Sequence, residues 1–177
     1  MIQNNRLVYL HGSDSDSNSG KARLFRGWFP GMRTPDFTGS FVERMAQLHQ
    51  ILSDKTEWTL IGSSYGGLMG TVFASEHPEQ VRKLVLLAPA LLRSETGIYL
   101  DPLTGEPLVH AGSSEAGLRT VPAPTIIVHG TADDIVPLEP VRRIAGTLFT
   151  NLRYIVVEDG HRLGKAVHEL DWNNILA

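Results

Sequence analysis

Short apolar runs rich in β-branched residues alternate along this chain with longer stretches of helical period. Leu7 to Leu10, Trp58 to Ile61, Leu84 to Ala88, Thr125 to His129 and Arg153 to Val157 read as strands, mostly apolar at consecutive rather than alternate positions. That is the pattern of strands covered on both faces in a parallel sheet. A weaker strand is predicted near Arg33 to Phe37, where Pro35 confines it to an edge or a strand end. Between the runs, Ser40 to Leu52 sets Phe41, Met45, Leu48 and Leu52 on one helical face, and Gly66 to His77 stops ahead of a proline. Glu139 to Phe149 follows Pro137, and Leu163 to Leu176 carries Leu163, Val167, Leu170 and Ile175 near helical spacing. Repeated β-then-α order predicts an α/β chain, a three-layer αβα sandwich around a mostly parallel sheet of about six strands. Only Arg93 to Pro124 lacks a period. It stacks turn residues in RSETG, DPLTGEP and HAGSSEAG, and residues 93–124 are predicted to be a short insertion over one end of the sheet.

A chain of 177 residues suffices for one sizeable core, so a single domain over residues 1–177 is expected. The first apolar run is only four residues long, from Leu7 to Leu10, with no basic flank ahead of a long hydrophobic region. Neither a signal peptide nor a membrane span is expected, and the protein is predicted to be soluble and cytoplasmic. There is no cysteine, which removes disulfides, thiolate metal sites and cysteine nucleophiles together. The net charge is −3 with Lys and Arg scattered, which provides no footprint for nucleic acid or an anionic membrane.

The chemistry-bearing signals fall at strand ends. Gly62-Ser63-Ser64-Tyr65-Gly66 joins the strand WTLI to a helical run, a G-x-S-x-G turn that would expose the Ser64 hydroxyl at the carboxyl edge of a sheet. A serine is a weak nucleophile until a histidine takes its proton, and that imidazole needs a carboxylate to hold its tautomer. HGTADDIVP, after the strand TIIV, offers Asp133 or Asp134 as the acid. Glu158-Asp159-Gly160-His161, after RYIVV, offers His161 as the base, with His168 as the weaker alternative inside a helix. Acyl transfer also needs two backbone N–H donors for the oxyanion, one after the nucleophile and one on an early strand-end loop. Tyr65 and Ser13, in YLHGS, stand at those places, and His11 beside them reads as a structural brace. The remaining histidines, His49, His77, His110 and His129, read as surface or structural residues.

As a set, YLHGSDSDS, IGSSYGG, HGTADDIVP and DGH resemble the α/β-hydrolase superfamily, and more narrowly the small cap-less esterases of the YqiA-like and uncharacterised lipase-like groups. The resemblance runs from residue 9 to residue 161. It implies a minimal α/β-hydrolase fold without a full cap domain and without the two leading antiparallel strands of larger members. It also implies Ser64 as nucleophile, Asp133 as acid, His161 as base, and the Ser13 and Tyr65 amides as oxyanion donors. The expected activity is hydrolysis of small or short-chain carboxylic esters. The alternatives are thioester or related chemistry with the same triad, and a non-catalytic interaction protein on this scaffold. Trp28, Phe29, Leu91, Leu92 and Tyr99 are the candidate pocket wall, and the expected partner is a small-molecule ester with no cofactor or metal. Asp14, Asp16 and Asn18 mimic an EF-hand start, but Ser19 replaces its glycine and Phe25 its glutamate. Gly20-Lys21 likewise fails the P-loop pattern, with Ala22 at the position that requires a hydroxyl.

Overall fold

The computed structural model describes residues 3–108 and 118–177. Its centre is a five-stranded, wholly parallel sheet in the order β1-β2-β3-β6-β7. These strands are β1 Leu7–Leu10, β2 Trp58–Ser63, β3 Val81–Leu87, β6 Thr125–Gly130 and β7 Leu152–Val157. A separate antiparallel hairpin pairs β4 Leu92–Arg93 with β5 Tyr99–Leu100. The helices are α1 Gly20–Trp28, α2 Phe41–Leu52, α3 Tyr65–Glu76, α4 Leu138–Leu148, α5 Ala166–Glu169 and α6 Trp172–Leu176.

Alternation along the strands sends side chains into two apolar layers. Val8, Leu10, Leu60, Leu84, Leu86 and Ile127 pack with α2, α3 and α4, whereas Leu7, Tyr9, Ile61, Val85, Leu87 and Val128 pack with α1, α5 and α6. Helix α3 lies deepest, with every residue from Tyr65 to Ser75 buried. Its sequence is apolar on all sides because no side of it meets water. Helix α2 begins at a full capping box, in which Ser40 accepts from the Glu43 amide and the Glu43 carboxylate accepts from the Ser40 amide.

The predicted edge strand at 33–37 contracts to one bridge, Val8 to Arg33, so the sheet has five strands rather than about six. Arg33 accepts from the Tyr9 amide and donates to the Leu7 carbonyl, each at 2.9 Å. Pro35 lacks the N–H that would have continued the pairing. That bridge also reverses the winding. The chain leaves β1 outward through α1 on one face, and returns to β2 through α2 on the other. The crevice beyond the carboxyl ends of β1 and β2 is therefore a topological switch point, where open α/β sheets place their sites.

Two further differences from the sequence reading have local causes. The closing helix predicted from Leu163 to Leu176 is two short helices, because the Asp171 side chain accepts from the Asn174 amide and starts α6 afresh. Helix α1 was not anticipated from the periodicity, although Ser19 caps it through the Ala22 amide and Ala22 and Phe25 bury one face. Of the 93–124 insertion, residues 109–117, including His110, lie outside the described residues. The described part carries the β4–β5 hairpin and the buried Asp101, which accepts from the Tyr65 hydroxyl at 3.0 Å. No described helix is long and apolar enough to cross a membrane.

The β2–α3 turn packs so closely that glycine is a steric requirement. A Cβ on Gly66 would lie 2.1 Å from the Leu10 carbonyl oxygen, whereas one on Gly20 would meet nothing within 4 Å. Gly66→Ala is therefore expected to lower the urea-unfolding free energy by about 3 kcal/mol or more. Gly20→Ala, in the first turn of α1, is expected to be neutral or to raise it by about 0.4–1 kcal/mol. Equal midpoints for the two variants would contradict this packing.

Candidate active site

Ser64 sits between β2 and α3 with φ 53° and ψ −115°, a left-handed backbone that costs a non-glycine residue about 1–3 kcal/mol. Neighbouring hydrogen bonds hold it there. The Ser64 amide donates to the Leu87 carbonyl at 2.9 Å, and its own carbonyl accepts from the Gly67, Leu68 and Ala90 amides. The sharp turn needs bare backbone on its inner side, since a Cβ on Gly62 would stand 2.5 Å from the Gly66 carbonyl oxygen. Ser64 Oγ is thereby held out at the sheet edge, 3.0 Å from His161 Nε2.

His161 comes from the turn after β7. A Cβ on Gly130 would stand 2.2 Å from the Asp159 carbonyl oxygen, so only glycine at the end of β6 lets this turn close. The Asp159 carboxylate accepts from the Gly160, Lys165 and Ala166 amides, fixing the backbone on both sides of His161. The same bonds, with Ala166 the largest contributor, hold Asp159 below the usual carboxylate range.

Asp133 lies on the loop after β6 with a fully buried side chain. Its Oδ1 accepts from the Ile135 and Val136 amides at 3.0 and 2.8 Å, and its Oδ2 lies 2.9 Å from His161 Nδ1. With Nδ1–H donating to the carboxylate, Nε2 is left to accept from the Ser64 hydroxyl. Asp134, the rival acid, is exposed on the same loop.

A second histidine stands behind the carboxylate. His129 is fully buried, with Nε2 at 3.2 Å from Asp133 Oδ2 and 2.9 Å from the Val136 carbonyl, while Nδ1 lies 2.8 Å from the Tyr154 hydroxyl. Burial raises the pKa of Tyr154 well above that of a free phenol, so its O–H persists as the donor to Nδ1. One tautomer of His129, protonated on Nε2, satisfies all of these contacts. The sequence reading gave His129 no particular task, and only the register of β6 against β7, which pairs Ile127 with Tyr154, brings the phenol within reach.

The oxyanion candidates face the same spot. Gly12 packs against the elbow, where a Cβ on it would lie 3.5 Å from Ser64 Cβ. His11 braces this loop from within the core, Nδ1 donating to the Gly12 carbonyl at 2.7 Å and Nε2 accepting from the Phe37 amide at 2.9 Å. Among the described residues, neither the Ser13 nor the Tyr65 amide donates a hydrogen bond. Tyr65 heads α3, whose N-terminal end favours negative charge.

Ser64 and His161 open onto a cleft of about 800 Å³, whose wall includes Tyr9, Ser13, Lys21, Leu24, Ile135 and Val167. The Tyr9 hydroxyl bonds to the Ser63 and Ser19 side chains, and burial pushes its pKa up to about 12. Desolvation, then the Arg162 charge, lowers the pKa of Lys21. None of the five residues predicted to form the pocket wall lines this cleft. Phe29, Leu91 and Tyr99 are buried in the two cores, and Leu92 is exposed on the hairpin. Trp28 packs against Phe25, His168 and Trp172 on the outer side of α1. The wall of this cleft comes instead from the polar loop 13–20, the first turns of α1, Ile135 and the 161–168 segment. His168 reaches the rim of the cleft, but the contact with Ser64 is made by His161.

Comparison with known proteins agrees with this architecture. The family model described as the alpha/beta hydrolase fold matches residues 21–103. A curated protein, the 2-hydroxy-6-oxo-6-(2'-aminophenyl)hexa-2,4-dienoic acid hydrolase of Metapseudomonas resinovorans, is 28% identical over 83 residues. That match covers 47% of this chain and only 24% of the relative, so the chain spans about a quarter of the protein it matches. Mouse alpha/beta hydrolase domain-containing protein 10 superposes with a TM-score of 0.70 at 21% identity, covering 98% of this chain and 89% of its own. The monoacylglycerol lipase of Paleococcus ferrophilus gives 0.65 at 19% identity, covering 96% and 93%. The chain has the α/β-hydrolase fold, in a small form with no full cap evident.

The hydrogen bond from Tyr154 to His129 is testable on stability alone. Tyr154→Phe leaves a buried imidazole nitrogen without its donor and is expected to cost about 1–3 kcal/mol in denaturant unfolding. An unchanged midpoint would mean that water replaces the phenol.

Proposed function

We propose that the protein is a serine hydrolase that cleaves small or short-chain carboxylic esters through an acyl-enzyme on Ser64. The observation that carries this reading is the continuous chain from the Ser64 hydroxyl through His161 to the buried Asp133, at 3.0 and 2.9 Å, on a strained turn. His161 Nε2 takes the Ser64 proton as Oγ attacks the ester carbonyl, and the Ser13 and Tyr65 amides receive the oxyanion. The alcohol leaves with the proton from His161. Water then repeats the attack, giving up its proton to His161 and releasing the acid and the free serine. Asp133 keeps the proton of His161 on Nδ1 and stabilises the imidazolium that forms at each step.

The openness of the cleft and the presence of Lys21 and Arg162 on its wall favour small, polar acyl groups over a long alkyl chain, which needs an enclosed apolar tunnel. The name of the Paleococcus structure, a monoacylglycerol lipase, fits ester chemistry on this scaffold. Thioesters suit the same arrangement, because the nucleophile and oxyanion donors act on the carbonyl whichever atom leaves.

A fluorophosphonate probe read by intact mass should give one adduct on the protein and none on Ser64→Ala. Among p-nitrophenyl esters from acetate to palmitate, the shortest should be hydrolysed fastest. Asp133→Asn should lower kcat by about 10⁴-fold and Asp134→Asn by less than about tenfold. Absence of an adduct on folded protein would favour a non-catalytic role, and a preference for palmitate would overturn the short-chain assignment.

A further inference from the structure

Helices α2 and α3 pack side by side and run in the same direction. Phe41 meets Tyr65 at their N-terminal ends, with ring centroids 5.9 Å apart, and His49 meets Glu76 at their C-terminal ends. A parallel pair brings two negative dipole ends together, where positive charge is favoured. At that place stands a cluster unconnected with Ser64. His49 lies in the last turn of α2, Glu76 closes α3 and His77 caps it. Each offers one ligand atom, and the three atoms all lie within 4.8 Å of one another.

We propose that His49, Glu76 and His77 form a binding site for a divalent transition-metal ion of the zinc type, clamping α2 to the end of the helix that carries Ser64. Two imidazoles and a carboxylate are a donor set of the kind zinc takes. With metal–ligand bonds of about 2.1 Å, tetrahedral donors stand about 3.4 Å apart. The pair of His49 Nε2 and Glu76 Oε2 is already at 3.1 Å, and His77, one-third exposed, has room to turn inward. The Glu76 side chain is only 8% exposed, so its position is fixed and its charge is partly desolvated, which strengthens attraction to a cation.

Glu79 adds a further element. Its carboxylate lies 3.7 Å from His77 Nδ1, within reach of becoming the acid that orients the imidazole once His77 turns inward to bind. The Phe73 ring, 5.2 Å from His49 and 5.0 Å from His77, walls the cluster on one side. The guanidinium of Arg119 already donates to the Glu76 carbonyl at 3.3 Å, a first use of the attraction of this helix end for positive charge. Across the 12 residues of α3, the site is about 18 Å from Ser64, so its role is structural and not chemical.

The test uses the full, untagged chain, stripped with a chelator and titrated with Zn²⁺ in competition with a chromophoric chelator. One equivalent should bind and raise the melting temperature. His49→Gln and His77→Gln should each weaken binding by more than about tenfold, while His161→Gln, at the other histidine-bearing site, should retain it. If a glutamine variant fails to fold, Co²⁺ added to the wild type should broaden the ring resonances of His49 and His77. No stoichiometric binding, wild-type affinity in the His49 and His77 variants, or broadening confined to other histidines would overturn the proposal and leave a simple His49–Glu76 ion pair.

Discussion

Everything at the carboxyl edge of the sheet depends on how closely the β2–α3 turn is pressed against the end of β1. With Gly66 against the Leu10 carbonyl, Gly62 against the Gly66 carbonyl and Gly67 against Pro89, the backbone has no room for side chains on its inner side. That contact forces Ser64 into its left-handed conformation and exposes its hydroxyl. It also brings the Gly12–Ser13 loop alongside, so that the candidate nucleophile and both candidate oxyanion amides share one steric origin. The strain is borne by the deepest helix of the molecule, whose burial between α2 and the sheet offsets it.

The polar chain behind Ser64 is arranged on the same logic of fixed backbone. Asp133 is held by two amides of its own loop, Asp159 by three amides around His161, and His129 by a carbonyl and a phenol. Each side chain has a partner on both sides, which removes alternative rotamers and leaves the histidines one tautomer each. Such preorganisation is what an electrostatic site requires, because dipoles already aimed need not reorganise when charge develops.

The sequence made the sheet and the candidate site legible for a shared reason. Buried parallel strands leave continuous apolar runs, and the turns that end them demand glycine beside the candidate residue, so Gly-x-Ser-x-Gly and Asp-Gly-His are readable locally. What it hid depends on partners distant in sequence. Arg33 forms a bridge and not a strand because Pro35 follows it, and α6 starts anew because Asp171 outcompetes the continuing helix. Apolarity alone does not distinguish a cleft wall from a core, and Phe29, Leu91 and Tyr99 lie in the core. Polar residues of the 13–20 loop, by contrast, carry no periodic signal. His129 and Tyr154 are 25 residues apart and meet only through strand register.

The single bridge at Arg33 has a meaning for how copies of this molecule meet one another. Bare outer strands invite neighbouring chains to extend a sheet, and β1 would otherwise present its amides and carbonyls to solvent. Arg33 occupies the Leu7 carbonyl and the Tyr9 amide, its guanidinium is tied to Asp54, and the proline two residues on can donate to nothing. One residue thus does the protective work of a whole strand, guarding against self-association the margin of the sheet that lies nearest the crevice holding Ser64.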